Sequence, residues 1–505
     1  MKYVLLSVFD KTGIVDFAKT LVSLGYTIIS TGGTAKQLLE NNIPVTPITK
    51  ITGNPESFDG RMKTISFQVE SGILFDRSNP SHVAQAKELN IKPIDIVVCN
   101  LYPFEKEQSI ENIDVGGPTM IRSAAKNFKH VLVVVDPNDY KTIGDAIEKN
   151  TVSQDFRKQL ASKAFAHLSF YDSQIARFLN TDFFPQEVTL PGRKVLDLRY
   201  GENPHQKAAF YLQPNTPSSL SHLKKLWGRE LSLVNLTDIN AGIASIRLFS
   251  NPAAVVIKHN NPCGIALGKT GKEALKRAIE ADRQSAFGGV IVLNFALDKE
   301  TAQVVAAFKD EKKGNIDIIA APKVEEVALT LLSGVRKSMG IYSFGAIPQT
   351  QMPLDIKFVD GGYILQSADD VLAGFSDWEV VTEKKPTDFE MEQMKLAWKF
   401  ISRIRSNAVI IVDRNLPMTR GIGSGQTSRV RSTKIAIEQA GSYTKGAILA
   451  SDSFFPFSDS VKLAASKGIA AIVQQGGSIN DTASIDAANK AGITMVFTHF
   501  RAFWH

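Results

Sequence analysis

The chain has 505 residues, about three times the usual size of one domain, so two or three hydrophobic cores are expected. Hydrophobic residues make up 44% and charged residues 22%, a balance that excludes a largely disordered chain and is ordinary for a globular enzyme. The net charge of +7 is spread along the chain without a basic block, which favours small phosphorylated anions over nucleic acid as ligands.

Two further classes of protein are excluded by local patterns. No apolar stretch approaches the roughly 20 residues needed to cross a bilayer. The apolar run near the N-terminus is interrupted by Asp10 and Lys11, which makes it too short for a signal peptide. We therefore expect a cytoplasmic protein without a membrane partner. The cysteines, Cys99 and Cys263, form no CxxC motif, so neither a disulfide framework nor a structural zinc site is expected.

In the N-terminal part, β-type runs alternate with helical patterns, which predicts an α/β domain with a parallel sheet. The predicted strands are KYVLLSVF, YTIIS, IDIVVCNLYPF and HVLVVVDPNDY, and the helical patterns are TGIVDFAKTLVSLG, GGTAKQLLENN and YKTIGDAIEKN. A long amphipathic helix is expected from about Ser153 to Leu179, followed by a proline-containing stretch without a clear period. We place the domain boundary there, with a first domain over residues 1–180, a linker to about 192 and a second domain over 193–505.

Polar residues follow the predicted strands of the first domain. STGGTAK lies between a strand and a helix, so the N–H groups of Gly32, Gly33 and Thr34 are expected at a helix N-terminus, where phosphate binds. A tight turn without a ligand is the alternative for this motif alone. The carboxyl ends of parallel strands meet at one edge of a sheet, so the other polar residues are expected nearby. They are Ser7, Lys11, Ser30, Arg61, Lys63, Thr64, Asn100, Tyr102, Asp114, Gly116, Gly117, Lys126 and Asn127.

The motifs SVFDKTG, STGGTAK, DGRMKT, CNLYPFEK and IDVGGPTMIRSAAKN resemble, in this order, the cyclohydrolase domain of a bifunctional purine-biosynthesis family. That family joins inosine monophosphate cyclohydrolase to aminoimidazole-carboxamide ribonucleotide transformylase. The resemblance implies a fold like methylglyoxal synthase and a ring closure with loss of water. It also implies catalytic roles for Lys63, Tyr102, Asp114 and Lys126, with Lys126 in proton transfer. Ring closure needs an oxyanion donor and a group that moves protons, and Lys and Tyr supply both.

Some residues of the first domain depart from the pattern of that family. Ile65, Ser66 and Phe67 stand where Leu-His-Pro is usual, so one expected imidazole is absent. Phe9 stands where a small hydroxyl residue is common, and the stretch before Asp114 is short. The alternative hypothesis is therefore a transformylase whose N-terminal domain is impaired or only binds a nucleotide.

The second domain mixes β-type runs with helices of 10–20 residues, which again predicts α/β structure. The runs are AAVVIKH, GGVIVLN, IDIIAA, SNAVIIV, KGAILAS, AAIVQQ and ITMVFTH. There are enough residues for two similar subdomains, although no internal repeat is visible in the sequence.

Motifs throughout the second domain resemble the transformylase domain of the same family. They are DLRYGENPHQKAAFY, VVIKHNNPCG, ADRQSAFGG, RSNAVIIV, GIGSGQTSRV, SDSFFPFSD and THFRAFWH. The resemblance, which covers nearly the whole chain, implies a duplicated fold related to cytidine deaminase, 10-formyltetrahydrofolate as co-substrate, and sites shared across a homodimer interface. It implies the last two steps of purine biosynthesis. The substrate-binding residues that it implies are Arg199, Tyr200, Gly288, Asn407, Arg429, Phe454, Asp459 and Arg501.

Lys258 and His259, adjacent in VVIKHNNPCG, match the chemistry of formyl transfer. A weakly nucleophilic amine must lose a proton to a base, and the tetrahedral oxyanion needs a cation. The resemblance makes His259 the base and Lys258 the cation. Neighbours on a strand point to opposite faces, so the chain must turn here, and NNPCG supplies turn residues. The alternative is a zinc deaminase, but the stretch lacks the second cysteine and the glutamate of that signature. We therefore expect no catalytic metal and a packed Cys263.

Overall fold

The computed structural model describes residues 2–58, 60–308, 315–348, 354–369 and 374–505. The chain divides into two units, one formed by residues 1–193 with 213–215 and the other by residues 194–212 with 216–505. The return of residues 213–215 to the first unit is not predicted from the sequence.

The first unit contains a sheet of strands β1 (Lys2–Val8), β2 (Tyr26–Ser30), β3 (Val45–Pro47), β4 (Ile94–Asn100) and β5 (Leu132–Val134). The strands are parallel and lie in the order β3-β2-β1-β4-β5. Consecutive residues of β1 and β4 are buried, as expected for a parallel sheet that is covered on both faces. The parallel α/β fold predicted for this part of the chain is confirmed.

The helices of the first unit are α1 (Ile14–Ser23), α2 (Gly32–Glu40), α3 (Thr49–Thr52), α4 (Phe67–Leu74), α5 (Pro80–Glu88), α6 (Gly116–Lys126), α7 (Tyr140–Glu148) and α8 (Gln154–Leu179). The long helix predicted after Ser153 is α8, and the Ser153 hydroxyl caps it by accepting the Phe156 N–H at 3.1 Å. Within the described ranges, no helix of the chain combines the length and the apolar character needed to span a membrane.

The polar residues of the first unit are positioned by the direction of its strands. Strands β1, β2 and β4 all end at the same edge of the sheet because they are parallel. Helix α2 begins two residues after β2, so its N-terminus also lies at this edge. This edge is where ligands bind in open α/β sheets.

Strand β6 (Arg193–Leu198) starts at the boundary between the units, and its residues from Lys194 onward belong to the second unit, as does β7 (Ala208–Leu212). A first α/β half follows. The elements of this half are β8 (Lys224–Trp227), α9 (Leu233–Ile246), β9 (Ala253–Lys258), β10 (Asn261–Leu267), α10 (Gly271–Ala281), α11 (Arg283–Ala286), β11 (Gly289–Leu293), α12 (Lys299–Ala307), β12 (Ile316–Ala321), α13 (Glu326–Val335) and β13 (Gly340–Ser343). The six strands lie in the order β10-β9-β11-β12-β13-β8.

A hairpin of β14 (Leu354–Val359) and β15 (Gly362–Ser367) precedes the second α/β half. The elements of the second half are β16 (Glu379–Val380), α14 (Asp388–Ile401), β17 (Val409–Val412), β18 (Thr419–Gly423), α15 (Arg429–Ala440), β19 (Ile448–Ser451), α16 (Asp459–Ser466), β20 (Ala471–Gln474), α17 (Asp481–Lys490) and β21 (Thr494–Phe497). Its strand order, β18-β17-β19-β20-β21-β16, repeats that of the first half strand for strand. The second unit is therefore duplicated, although its sequence shows no repeat.

The two halves share one hydrophobic core. Side chains of α9 and α14, among them Ile239 and Trp398, are buried together with strand residues of both sheets. The edge strands β10 and β18 also meet, since the Ile265 N–H donates to the Thr419 Oγ1 at 3.1 Å. Residues of both halves consequently contribute to one site.

We predict that a fragment ending at Arg193 folds by itself. The buried core of the first unit is formed by residues before Arg193, and the Arg193 guanidinium donates to Glu105 at 3.0 Å. Circular dichroism should show helical structure and one cooperative thermal transition. A fragment ending at Thr181, which lacks Arg193, should melt at a lower temperature. The absence of a cooperative transition in the longer fragment would contradict the division into two units.

Candidate active sites

Two hydroxyls at the carboxyl edge of the first unit hold the sheet together. The Thr34 Oγ1 accepts the Val8 N–H at 3.1 Å and donates to the Val8 carbonyl at 3.0 Å. The Ser30 Oγ donates to the Leu6 carbonyl at 2.7 Å. Both side chains are buried, so these two predicted ligand-binding residues use their hydroxyls within the fold. Ser7, also predicted, lies one residue before the end of β1.

Two lysines lie over the glycine turn that starts α2. Gly32 has a φ of +51°, and a Cβ built on it would lie 3.1 Å from the Lys63 Nζ. A Cβ built on Gly33 would lie 3.4 Å from the Lys11 Cε. The Lys63 Nζ also pairs with Glu56 at 3.0 Å. Two ammonium groups beside the free N–H groups of a helix N-terminus form an anion cradle, in agreement with the interpretation of STGGTAK as a phosphate-binding turn.

Asn100 orders the loop that carries Lys11. Its Oδ1 accepts the N–H groups of Phe9 and Asp10 at 2.7 and 2.8 Å, and its Nδ2 donates to the Asp10 carbonyl at 3.0 Å. The side chain is 8% exposed. Asn100, which was predicted to contact the substrate, therefore also holds the backbone of the loop that carries Lys11 of the cradle.

An aromatic pair stands beside the cradle. The rings of Phe9 and Tyr102 are each 47% exposed, and their centroids lie 5.1 Å apart. The Lys11 Nζ donates to the Phe9 carbonyl at 3.1 Å and lies 5.9 Å from the centroid of the Phe9 ring. Phe9, which departs from the family pattern, thus packs against a predicted catalytic residue without blocking its exposure.

Asp114 is the acidic group of this edge. Its Oδ1 accepts the Gly117 N–H at 2.8 Å, and its own N–H donates to the Tyr171 hydroxyl at 2.8 Å. Burial raises the pKa of the Asp114 carboxyl, and the N–H groups of Gly117 and Gly116 only partly oppose this effect. Burial therefore makes the Asp114 carboxyl a weaker acid than an exposed aspartate.

Glycine at 116 allows two segments to approach each other. A Cβ built on Gly116 would lie 2.5 Å from the Thr64 Oγ1, so a side chain there would displace the buried Thr64. Arg61, three residues before Thr64, is exposed and pairs with Glu111 at 2.5 Å. Gly116 and Thr64 are thus brought together, whereas Arg61 lies on the surface.

Ser66 has a structural role at the position where an imidazole is usual in the family. Its Oγ caps α4 by accepting the Val69 N–H at 3.1 Å, and Phe67 is the first residue of the helix. The hydroxyl therefore satisfies one of the free N–H groups at the start of α4.

Lys126 is not brought together with the other predicted catalytic residues. It is exposed and is the last residue of α6, whereas Gly116 is the first. At 1.5 Å per residue, the two ends of this helix are about 15 Å apart. The strand that follows, β5, starts shortly after Lys126, so Lys126 lies towards the amino ends of the strands.

A tight turn brings Lys258 and His259 to one cavity. Lys258 ends β9 and pairs with Asn261, which starts β10, so only His259 and Asn260 connect the strands. Their φ values are +55° and +61°, as in a type I′ hairpin turn. A turn was predicted at NNPCG, and the first residue of that segment, Asn260, forms the turn together with the preceding His259.

The cavity beside this turn has a volume of about 230 Å³ and is lined by Lys258 and His259. Its other lining residues come from both halves of the unit: Asn261, Pro262, Cys263, Asp282, Ser285, Ile422, Ser424 and Gln439. The Lys258 Nζ donates to the Phe287 carbonyl at 2.8 Å, next to the predicted residue Gly288. An ammonium group has three N–H donors, so donors remain for a ligand.

Cys263 faces the cavity as a neutral thiol. Burial raises its pKa to about 12, and its Sγ lies 3.7 Å from the Ser285 carbonyl. Among the described residues, no group of three or more His, Cys, Asp or Glu side chains is placed to hold a metal ion.

Arg429, predicted to bind phosphate, is 8% exposed and lies in a polar network. Its guanidinium donates to the Ser451 Oγ at 3.0 Å, to the Asn407 Oδ1 at 2.7 Å and to the Asp452 carboxylate. Asp452 also accepts the Ala408 N–H at 2.9 Å. Arg429 and Asn407 are thus brought together, with the guanidinium already bonded within the protein.

The remaining predicted residues lie at several places on the second unit. The Arg199 guanidinium donates to the Tyr200 hydroxyl at 2.9 Å and lies over its ring. Arg501 lies 4.5 Å from the ring centroid of Phe503, which Arg429 also faces at 6.0 Å. Asp459 begins α16, and Phe454 lies in the loop before it.

Residues that the sequence analysis missed connect the cavity to the rest of the unit. The Gln439 Nε2 donates to the Asp282 Oδ2 at 2.6 Å, and its Oε1 accepts the Ile422 N–H at 2.6 Å. Asp238 of α9 accepts the Asn260 N–H at 2.7 Å. Asp282 lies in the quoted motif ADRQSAFGG, but no local pattern distinguishes Gln439 or Asp238.

Comparison with known proteins assigns both parts of the chain. A family model described as "AICARFT/IMPCHase bienzyme" matches residues 124–439, and one described as "MGS-like domain" matches residues 13–129. Proteins named bifunctional purine biosynthesis protein PurH are similar over the full length. Those of Halalkalibacterium halodurans and Acetivibrio thermocellus are 44% and 45% identical, over 99% and 100% of both chains respectively. A solved structure described as "Crystal structure of ForH" is 34% identical over 35% of this chain and 99% of its own, with a TM-score of 0.33.

We predict that Asp114→Asn stabilises the protein at neutral pH. A carboxyl whose pKa is raised on folding contributes stability at low pH and loses it as the pH rises through the folded value. The amide oxygen of Asn still accepts the Gly117 N–H but carries no charge. Thermal unfolding should show a higher melting temperature for the variant at pH 7, and a smaller gain as the pH falls towards 4. A variant that is less stable than the wild type at pH 7 would contradict this assignment.

Proposed function

The chain belongs to the AICARFT/IMPCHase bienzyme family, and on this premise we propose that its two reactions take place at two separate sites, one in each unit. The protein is a bifunctional formyltransferase and cyclohydrolase of purine biosynthesis. It transfers a formyl group from 10-formyltetrahydrofolate to 5-aminoimidazole-4-carboxamide ribonucleotide and closes the product to inosine monophosphate. The comparisons favour this reading over the alternative of an impaired N-terminal domain.

We assign formyl transfer to the cavity at Lys258 and His259. The observation that carries the assignment is that the tight turn after Lys258 brings both side chains to this cavity. The reaction forms a bond between the amine nitrogen of the nucleotide and the formyl carbon, and breaks the bond from that carbon to the folate nitrogen. His259 takes the amine proton, which finally replaces the formyl group on folate. Lys258 stabilises the oxyanion of the tetrahedral intermediate.

We assign ring closure to the carboxyl edge of the first unit. The cradle of Gly32, Gly33, Lys11 and Lys63 would hold the phosphate of the formylated nucleotide. The carboxamide nitrogen attacks the formyl carbon, and the formyl oxygen leaves as water with one proton from each nitrogen. Asp114, whose pKa is raised by burial, would donate a proton to that oxygen. Tyr102 is exposed beside the cradle and would stabilise the developing oxyanion.

The position of Lys126 supports a homodimer in which each subunit contributes to the ring-closure site of the other. Because it lies about 15 Å from the start of α6, a direct role in ring closure requires the site of a second subunit. The proposed homodimer supplies such a subunit, and its transformylase sites are also proposed to be shared. Both substrates are water-soluble anions, and we propose that the dimer acts in the cytoplasm.

We predict that formyl transfer and ring closure respond separately to substitutions. His259→Ala removes the base and Lys258→Met the cation, so each should reduce formyl transfer by about 10²-fold or more. Ring closure of supplied formylated nucleotide should remain normal, since it takes place in the other unit. Because both groups act on one transition state, the two losses should be less than additive in free energy. Near-normal formyl transfer in either folded variant would remove that residue from the mechanism.

A mixing experiment tests the role of Lys126. Lys126→Ala and Lys63→Ala subunits should each be nearly inactive in ring closure. If the site is shared, mixed dimers have one intact site, and random mixing should restore about one quarter of the wild-type activity. Affinity tags on the two subunits verify that mixed dimers form. No recovery in verified mixed dimers would exclude the shared site.

A further inference from the structure

The turn that presents His259 has a conformational cost and two backbone N–H groups that find no acceptor in the β-ladder. Residues with side chains rarely adopt positive φ, and the turn contains two of them in succession, His259 and Asn260. Type I′ turns favour Asn-Gly, in which the second residue adopts positive φ freely. The N–H groups of the two central residues point away from the ladder and need other acceptors. This turn therefore depends on its surroundings to keep its shape.

Asp238 of the neighbouring helix α9 supplies the acceptor. Its side chain is 4% exposed, and its Oδ1 accepts the Asn260 N–H at 2.7 Å. Burial raises the pKa of Asp238, while hydrogen bonds from the backbone N–H groups of Asn260 and His259 and the nearby His259 side chain oppose that rise. The carboxylate thus lies next to both turn residues.

Helix α9 is itself firmly placed. A capping box holds its start, where the Ser232 hydroxyl accepts the Asn235 N–H and the Asn235 side chain accepts the Ser232 N–H. Ile239 and Ile243, which follow Asp238 in the helix, are buried in the core that the two halves share. The position of the Asp238 carboxylate is therefore set by the core rather than by the flexible end of a hairpin.

We propose that Asp238 is a positioning residue for formyl transfer: its buried carboxylate holds the His259–Asn260 turn in the left-handed conformation that aims His259 into the cavity. The inference rests on the proposed role of His259. Asp238 does not line the cavity, so it acts through the turn and not on the substrate. Displacement of a reacting group by about 1 Å can cost as much as 10²-fold in rate, which makes the turn geometry consequential.

Substitutions of Asp238 distinguish hydrogen bonding from charge. Asp238→Ala removes the acceptor and should reduce kcat for formyl transfer by about 10- to 100-fold, with a much smaller change in KM for the nucleotide. Asp238→Asn retains an acceptor oxygen at the same place and should keep most of the activity. Asp238→Glu keeps the charge but moves the carboxylate by one methylene, so it should resemble Asp238→Ala. An unchanged kcat in folded Asp238→Ala, or a loss confined to KM, would overturn the proposal.

A second substitution, in the turn itself, tests whether the loss of kcat in Asp238→Ala comes from a change in turn geometry. Asn260→Gly allows positive φ without an anchoring acceptor, so it should restore part of the kcat lost in Asp238→Ala and leave the otherwise wild-type enzyme active. If Asp238→Ala folds but adding Asn260→Gly does not raise its kcat, turn geometry is not the reason for the loss. If Asp238→Ala does not fold, Asp238→Asn and Asp238→Glu provide the comparison.

A double variant separates positioning from a general structural role. In a His259→Ala background the turn has no base to aim, so adding Asp238→Ala should cause little further loss. The same factor of loss in both backgrounds would overturn the proposal. Near-normal formyl transfer in His259→Ala alone would instead overturn the proposed function, and this inference with it.

A matched control is available in the same half of the unit. Asp298 caps α12 by accepting the Thr301 N–H at 2.8 Å, a bond similar to that of Asp238 but outside the residues that line the cavity. Asp298→Ala should lower the melting temperature without changing kcat for formyl transfer. Circular dichroism and thermal unfolding monitor folding of the second unit in every variant, and ring closure of supplied formylated nucleotide measures the amount of active first unit. Equal losses of kcat in Asp298→Ala and Asp238→Ala would overturn the specific role of Asp238.

Discussion

The register between β9 and β10 leaves two residues to reverse the chain, and the site proposed for formyl transfer depends on this constraint. In an extended strand, Lys258 and His259 would point to opposite faces, but the left-handed turn brings both to one cavity. The hairpin alone does not define that cavity. Duplication places β18 and α15 of the second half against it, and the Gln439 side chain joins Asp282 to Ile422 across the two halves.

The candidate site of the first unit is formed by the ends of parallel strands and not by a hairpin turn. Its parallel strands end together, so short polar segments that are distant in sequence meet at one edge. Many of these polar groups organise the edge: Thr34 joins α2 to β1, and Asn100 orders the loop of Lys11. Lys11, Lys63, Tyr102 and Asp114 are then available for a ligand. The burial that raises the pKa of Asp114 disfavours its charged form, an effect that is common at functional sites and also costs stability.

Sequence patterns predicted the parallel sheet, the long helix after Ser153 and the family, because each depends on periodicity or on contiguous motifs. They identified polar residue types but not the hydrogen-bond partners that each side chain has in the fold. Ser30, Asn100 and Arg429 have suitable chemistry, but their polar atoms bond within the protein. Asp238 and Gln439 had no local signal, since their partners are distant in sequence. The duplication was expected from the family resemblance alone, because the two halves share strand order rather than recognisable sequence.

The two reactions of this chain are proposed to take place at separate sites. The most direct test is to incubate the purified protein with 5-aminoimidazole-4-carboxamide ribonucleotide and 10-formyltetrahydrofolate, and to follow the formylated nucleotide and inosine monophosphate over time. The account predicts that inosine monophosphate forms, that its formation requires the folate, and that supplied formylated nucleotide is closed without folate. Accumulation of formylated nucleotide without inosine monophosphate would contradict the account, since the first unit would then not close the ring.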